Sequence, residues 1–497
     1  MRSLNTIKCA LVRYHNMLRH TIRCLTVLLM ATLLCACNDD DSFTTSPNNL
    51  LTFSLDTVRL DTVFSRIPTS TRTFWVYNKS GDGVRCSRIA LEKGNQTGFR
   101  VNVDGTYLGS SEGFQVSDIE VRNRDSIRVY VELTSPANNK FEPMLLEDNL
   151  VFMLESGVQQ KVNLNAFTWD ADIRDSLVVD GETTINTDKP LVITGGIKVK
   201  ENSKLIIPPG STIYFKDNAG IDVYGTLDIR GEADRNVTLR GYRLDNMFSY
   251  LPYDRVSGQW KGIRFHEPSY ENTINYADIH STYNGIVCDS SSVDRLKLSL
   301  YNSIVHNCQG YGVKVVHSVV DVVNCQITNT LMDCLAIYGG AARVMQSTIA
   351  QFYSFDANRG AALRFANYDE ERILPLYQFD CVNCLVTGYA DDVVMGEADS
   401  TATYNFSFEN CLLRTPAISD TIRVKNVIWE NPEDTLTGSV KHFAKMDTEN
   451  LIYDFRLDSL STAIGKALPI EGLPYDRLGI RRDEEPDLGC YEYVKKQ

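Results

Sequence analysis

The spacing of apolar and polar residues changes character along the chain. Between residues 50 and 168, short runs alternate apolar and polar positions and are separated by turn signals. The clearest are 73–77, 99–103, 126–133, 149–154 and 161–166. A period of two with one apolar face predicts antiparallel strands packed on one side. From Trp169 onward the runs are shorter and end in Gly or Asn, as in 196–200, 205–215, 220–231 and 237–239. No stretch of helical period lies between them, which excludes βαβ units.

Further on, the runs align as a repeat. The segments 276–279, 302–305, 324–327, 346–349, 383–386 and 410–413 start 26, 22, 22, 37 and 27 residues apart. Their first column reads Tyr276, Asn302, Asn324, Gln346, Asn383, Asn410. Their second reads Ala277, Ser303, Cys325, Ser347, Cys384, Cys411, and their fourth is Ile, Val or Leu throughout. Stacked strands about 4.8 Å apart account for all three columns. Amides at a bend can bond from rung to rung, small residues fit beside the bend, and branched aliphatics fill the axis. A second strand follows in each repeat, at 285–288, 312–315, 334–337, 362–365 and 392–395. The prediction is an all-β chain, with a β-sandwich over 50–168 and a parallel β-helix over 169–436. The general bias of crossover connections makes the helix right-handed. Residues 437–497 are expected to cap the last rung, and the segment near Trp169 to cover the first. The loops 243–258, 367–377 and 396–403 leave the coil.

The N-terminus reads as an address. Residues 1–36 hold five basic residues and no acid, then an apolar run from Leu25 that is too short to span a bilayer. Met17 is an alternative start. Leu34-Cys35-Ala36-Cys37 resembles the lipobox of bacterial lipoproteins, which implies acylation of Cys37. The following Asn38-Asp39-Asp40-Asp41 resembles the export signal of Bacteroidetes surface lipoproteins; residues 37–49 otherwise read as a flexible acidic tether. The strand ending in Tyr77-Asn78 before a Gly-rich turn is similar to immunoglobulin-like domains, without their Cys-Trp-Cys pattern. Asp476-Arg477-Leu478-Gly479 and 486–492 look like the closing motif of bacterial surface β-helix proteins, with Cys490 where Ala commonly stands. The whole layout resembles the right-handed β-helix lipoproteins of Bacteroidetes, which implies an outer-membrane, surface-exposed location.

Charge and cysteines narrow the function. Lys and Arg number 50 against 63 Asp and Glu, for a net charge of -13; without residues 1–36 this becomes 45 - 63 = -18. Nucleic acid is excluded as a partner, because phosphate binding needs a basic surface. Nine cysteines follow Cys37, an odd number without a disulfide framework. They read as small core residues; Cys381 and Cys384 have redox- or zinc-like spacing, and a Cys384–Cys411 disulfide is a secondary reading.

Candidate chemistry is sparse. The catalytic residues of pectin-hydrolase-like proteins are unmatched, since there is no Gly-His-Gly. Asp278, Asp289 and Asp321 do not share a column, as a lyase-like calcium site requires. Lys314 and Arg364 share a column suited to acidic sugars, or are plain solvated outward residues. His280 and His306 share another, suited to metal or proton transfer but with no third ligand evident. Tyr250 and Tyr253 could stack on sugars, whereas Trp260 reads as core. Asp-Ser/Thr-apolar recurs with Thr57, Thr62, Ser126, Ser176, Thr421, Thr435 and Ser459 in the middle. It is similar to the O-glycosylation sequon of exported Bacteroidetes proteins, or equally marks turns before strands. The expectation is a non-catalytic surface lipoprotein that binds glycan or protein, with no cofactor or metal. The rival is a polysaccharide lyase or glycoside hydrolase acting through the loops at 243 and 367.

Overall fold

The computed structural model describes Met17, Thr21 and residues 42–495 except Thr187 and Thr435. Cys37, the acidic residues 38–41, the rest of the expected signal segment and the Thr435 sequon position lie outside the described residues.

The chain forms two compact units. Among the described residues, the first comprises 42–60 together with 68–136 and 146–165. It holds a five-stranded sheet in the order Leu51–Phe53, Arg72–Asn78, Ser126–Leu133, Phe99–Val103, Thr106–Tyr107, paired antiparallel throughout. A second sheet centres on Val84–Leu91, antiparallel to Met144–Leu154. The alternation works as predicted: in Ser126–Leu133, Ile127, Val129, Val131 and Leu133 are buried while Arg128 and Tyr130 face out. Asn78 is buried because its amide holds the turn, donating to Asp82 O at 2.8 Å and Val121 O at 2.9 Å.

The second unit is dominated by a sheet of 26 strands whose rungs pair in parallel. One register line runs Asp278, Ile304, Gln326, Thr348, Leu385, Leu412, Ile428 through seven successive rungs. Beside it the aliphatic column, Ile279 to Leu413, is wholly buried. Each such side chain contributes about 1.5–3 kcal/mol by leaving water. This is a parallel β-helix, and its axis is the predicted core. Trp260 belongs to it, buried and stacked on Phe215 with centroids 4.2 Å apart.

The amide column has a different first cause from the one expected. Tyr276, Asn302, Asn324, Gln346, Asn383 and Asn410 all have φ between 46° and 55°. The bend demands a left-handed residue, and Asn adopts that conformation more readily than other L-residues with a Cβ. Asn426, φ 52°, extends the column by a rung. Side-chain stacking is only partial. Asn324 Nδ2 donates to Asn302 Oδ1 at 3.1 Å, but neither amide atom of Gln346 has a partner among the described residues. Asn383 turns instead to the backbone of Leu468.

The small column carries a hydrogen-bond role that size alone does not predict. Ser303 Oγ donates to Tyr301 O at 2.6 Å and accepts the Ala277 N–H at 3.0 Å from the rung before. Ser347 does the same for Met345 O and the Cys325 N–H. Cys411 substitutes a thiol, accepting from Cys384 N–H at 3.4 Å and donating to Glu409 O. Ser and Cys alternate there because both are small and both donate and accept. All nine described cysteines are free and buried, so the Cys384–Cys411 disulfide is not formed.

The C-terminal segment meets the last rung at Glu430, through the Ser439 N–H and His442, and then continues beyond the expected cap. It runs back along the flank of the coil. Leu468 meets Asn383, Cys490 N–H bonds Thr348, Tyr491 Oη donates to Gln326, Arg482 reaches Asn324, and Arg477 reaches Asn236. Polar groups at several of these positions, among them Asn236, Asn324 and Asn383, find their partners in this segment. At the other end, Phe64 and Trp169 pack together, and Phe64 sits edge-on to Tyr214 of the early rungs.

Candidate functional site

Four parts of the second unit meet around a cavity of about 420 Å3. The coil supplies Asp278, Ile304, His306, Gln326 and Asn329. The loop 243–258 supplies Asp254 and Arg255 from the turn Tyr253–Arg255. A hairpin of Phe443–Asp447 and Ile452–Leu457 supplies Tyr453, Asp454 and Arg456, and the flanking segment adds Arg477 and Tyr491. Arg255 Nη1 donates to Asn450 O at 2.9 Å, tying the loop to the hairpin.

The floor follows from strand geometry. Side chains at i and i+2 share a face, so Asp278 and His280 both point outward from the strand whose Ile279 fills the core. The register then sets His306 beside His280 in the next rung, with ring centroids 4.8 Å apart. Asp278 Oδ1 lies 2.9 Å from His280 Nδ1 and 3.1 Å from His306 Nε2. The other nitrogen of His280, Nε2, lies 3.0 Å from Asp254 Oδ1, which Arg240 Nη1 also meets at 2.5 Å.

These contacts set the charges. Burial works to raise both carboxyls, but it is outweighed. His280 and His306 hold Asp278 well below the usual carboxylate range, and His280 with Arg240 does so for Asp254. For His280, burial pulls the imidazole down, while Asp278 and Asp254 raise it to about 9. The third carboxylate, Asp454, pairs with Arg456 at 2.5 Å. The walls therefore offer carboxylate acceptors, guanidinium donors and the Tyr453 ring side by side.

Of the residues singled out from sequence, His306 lines this cavity and His280 stands behind it. Lys314 lines a second cavity of about 510 Å3 with Arg264, Arg372 and Asp369. There each cation already has an acid: Lys314 and Arg372 meet Asp369, and Arg264 meets Asp289. Arg364 lines neither cavity and is clamped by Asp333 at 2.7 Å and Glu397 at 2.5 Å. Lys314 and Arg364 are thus not solvated outward cations, because acidic residues from adjoining segments fold onto them. Tyr250 is exposed beside Phe248, and Tyr253 lies under the Arg243 guanidinium at 3.9 Å; neither reaches the cavity. Cys381, Cys384 and Cys411 cluster within 4.8 Å, wholly inside the coil, where Cys384 and Cys411 donate to backbone carbonyls. Among the sequon positions, Ser176, Thr421 and Ser459 are exposed, and Thr57, Thr62 and Ser126 are half-buried.

Sequence reasoning missed Asp254, Asp278, Tyr453, Asp454 and Arg456. The only available signal was Asp278-Ile279-His280 above His306, an outward i, i+2 pair over a third polar group. The hairpin gave none.

No family model matches this chain, and no curated protein matches it. Among solved structures it is similar to a protein of unknown function from Porphyromonas gingivalis, at 13% identity and TM-score 0.18 over 27% of this chain. The chain spans 59% of that protein's length. It is also similar to the catalytic unit of a GH87 alpha-1,3-glucanase from Streptomyces thermodiastaticus, at 12% identity and TM-score 0.25. That match covers 68% of this chain and 72% of the other. A third is a family 123 glycoside hydrolase from Clostridium perfringens, at 8% identity and TM-score 0.17 over 25% of this chain and 26% of the other. At TM-scores this low the likenesses establish neither fold nor activity; the β-helix rests on its own strand pairing.

Proposed function

We propose that this protein is a non-catalytic, cell-surface lipoprotein whose β-helix presents a glycan-binding site at the cavity beside His306. One observation carries the reading. All three carboxylates on the cavity wall are held in ion pairs, Asp254 with Arg240, Asp278 with His280 and Asp454 with Arg456. Paired acids accept hydrogen bonds from hydroxyls, the arginines donate to ring and hydroxyl oxygens, and Tyr453 offers an apolar face. Glycosidic cleavage by a carboxyl pair needs instead one acid that keeps its proton.

The test is a panel of polysaccharides offered to the purified protein. Saturable binding without release of product is the expected result; turnover of any member replaces this reading with the enzymatic one. Arg456→Ala is expected to weaken binding about tenfold, the equivalent of about 1.4 kcal/mol.

The same proposal includes anchoring through lipid on Cys37 at the outer membrane, a right-handed coil and an immunoglobulin-like first unit. Replacing Cys37 with Ala releases the protein from the membrane fraction if the anchor is real. O-glycosylation is supported by the third sequon residues. Ile422, Leu436 and Leu460 are 83%, 76% and 60% exposed, so packing does not account for an apolar side chain there. Turn-making does account for the aspartates, since Asp420, Asp434 and Asp458 each accept a backbone N–H two residues on. Intact mass of the native protein, with no hexose increments, removes the glycan part.

A further inference from the structure

We propose that Asp278, His280 and His306 form a binding site for one divalent transition-metal ion of the zinc type, presented to the cavity. One ligand atom from each of the three lies within 4.8 Å of the other two. Asp278 Oδ1 is already 2.9 Å from His280 Nδ1 and 3.1 Å from His306 Nε2. A tetrahedral zinc ion with bonds of about 2.0–2.2 Å holds such atoms about 3.3 Å apart. The two contacts of Asp278 need only lengthen by a few tenths of an ångström, and the two imidazole nitrogens, within 4.8 Å of each other, close on the same point.

The backbone fixes this spacing. Asp278 and His280 alternate on one strand face, and the rung register stacks His306 on His280. The set is also supported from behind. His280 uses Nδ1 toward Asp278 and meets the Asp254 carboxylate through Nε2 at 3.0 Å, while Arg240 holds that carboxylate. A carboxylate on the far nitrogen of a ligating histidine fixes its tautomer and orientation, and is the usual support of a zinc-bound imidazole. Asp254 comes from the loop 243–258, so the loop orients a ligand carried by the coil. Two imidazoles and one carboxylate complete only three positions of a zinc sphere, and an open position is what distinguishes a zinc ion that engages a substrate from a structural one. Asp278 and His306 both line the cavity. An ion held between them is offered to whatever occupies it, and paired sugar hydroxyls are suitable donors.

In the arrangement described, protons bridge these groups. Metal entry displaces them: each ligating nitrogen gives up its proton to solvent and bonds the ion through the freed lone pair, with no change of oxidation state. This inference stands apart from the glycan reading, because ion uptake is measured with no sugar present.

The experiment is titration of chelator-stripped, detergent-solubilised protein with zinc chloride against a chromophoric chelator. The expected result is one ion per chain with a Kd of about a micromolar or tighter. His306→Gln and Asp278→Asn are each expected to abolish uptake, and Asp254→Asn to weaken it about 10–100-fold. Cys411→Ser is expected to leave uptake unchanged, which separates this site from the buried thiols. His280 is buried and its replacement tests folding as well as binding, so His306→Gln, at a half-exposed position, carries the decision. No saturable uptake by the unaltered protein, or uptake that survives both His306→Gln and Asp278→Asn, overturns the proposal and leaves an ion-pair network.

Discussion

The repeated coil and the segments that leave it solve opposite problems with the same residue types. Inside the coil, polar groups are used up: Ser303 and Ser347 each satisfy a carbonyl of their own rung and an N–H of the rung before. On the flank, the loop 243–258 and the hairpin at 443–457 bring Asp254, Asp454 and Arg456 to an open cavity, Asp254 paired with Arg240 and Asp454 with Arg456, all reachable by a ligand. Regularity supplies rigidity, and irregularity supplies chemistry. A ladder repeats one environment, so it cannot by itself place three different side chains around one point.

The sharpest way to break this division is to damage the polar cluster that ends the coil. Glu430 is buried, 2.6 Å from Arg414, and accepts from Thr387 and the Ser439 N–H. Glu430→Ala leaves the buried Arg414 only the exposed Asp391 at 3.4 Å as an acidic partner and is expected to cost about 3 kcal/mol, read as a lower denaturant midpoint. The loss depends on pH. Burial raises the Glu430 carboxyl, but His442, Thr387 and Arg414 outweigh it and hold it below its ordinary 4.5. A depressed folded value means stability that is present above 4.5 and fades as pH falls below it. The gap between wild type and Glu430→Ala should therefore narrow on acidification from pH 7 to pH 4.

Next in size is the coil axis. Ile327→Ala empties a fully buried site and is expected to cost about 2–4 kcal/mol without changing glycan or zinc uptake. On the other side of the comparison, Tyr453→Ala removes a cavity wall. Little change in unfolding is expected, but glycan affinity should fall about tenfold by calorimetry, or about 1.4 kcal/mol. The smallest effect sharpens the account of the bends. Gln346→Asn replaces a poor left-handed residue by a better one next to Asn324, and a gain of about 0.5–1 kcal/mol is expected. Unchanged stability would mean that the bend tolerates any side chain and that the column has another origin.

These two regions were also unequally legible. The coil could be read because its columns recur, so each rung checks the others: Ile279, Val305 and Ile327 declare one buried position three times. Even so, the pattern at Asn302 and Asn324 points to stacking rather than to backbone conformation, since φ does not show in a single sequence. Asp278 shares no column with another acid, and its partners His280 and His306 lie two residues on and one rung away. Tyr453 and Arg456 carried no signal at all. Their place depends on how a non-repeating segment lies against residues more than a hundred positions earlier, and nothing in local pattern encodes that. The return of the segment after residue 437 along the flank is illegible for the same reason.

That segment has a consequence for how the molecule is made. Tyr475, Arg477, Arg482, Cys490 and Tyr491 follow every rung in the chain, yet they bond to Asn236, Asn324, Gln326 and Thr348. Rungs formed early therefore wait, bends bare, until residues some 140 to 240 positions later arrive. The coil can wind in order as the chain emerges, but it is buckled shut only at the finish. Contacts of such long range are slow to form, and a chain that stops short of residue 475 carries a wound but unfastened coil, its flank open to proteases and to other strands.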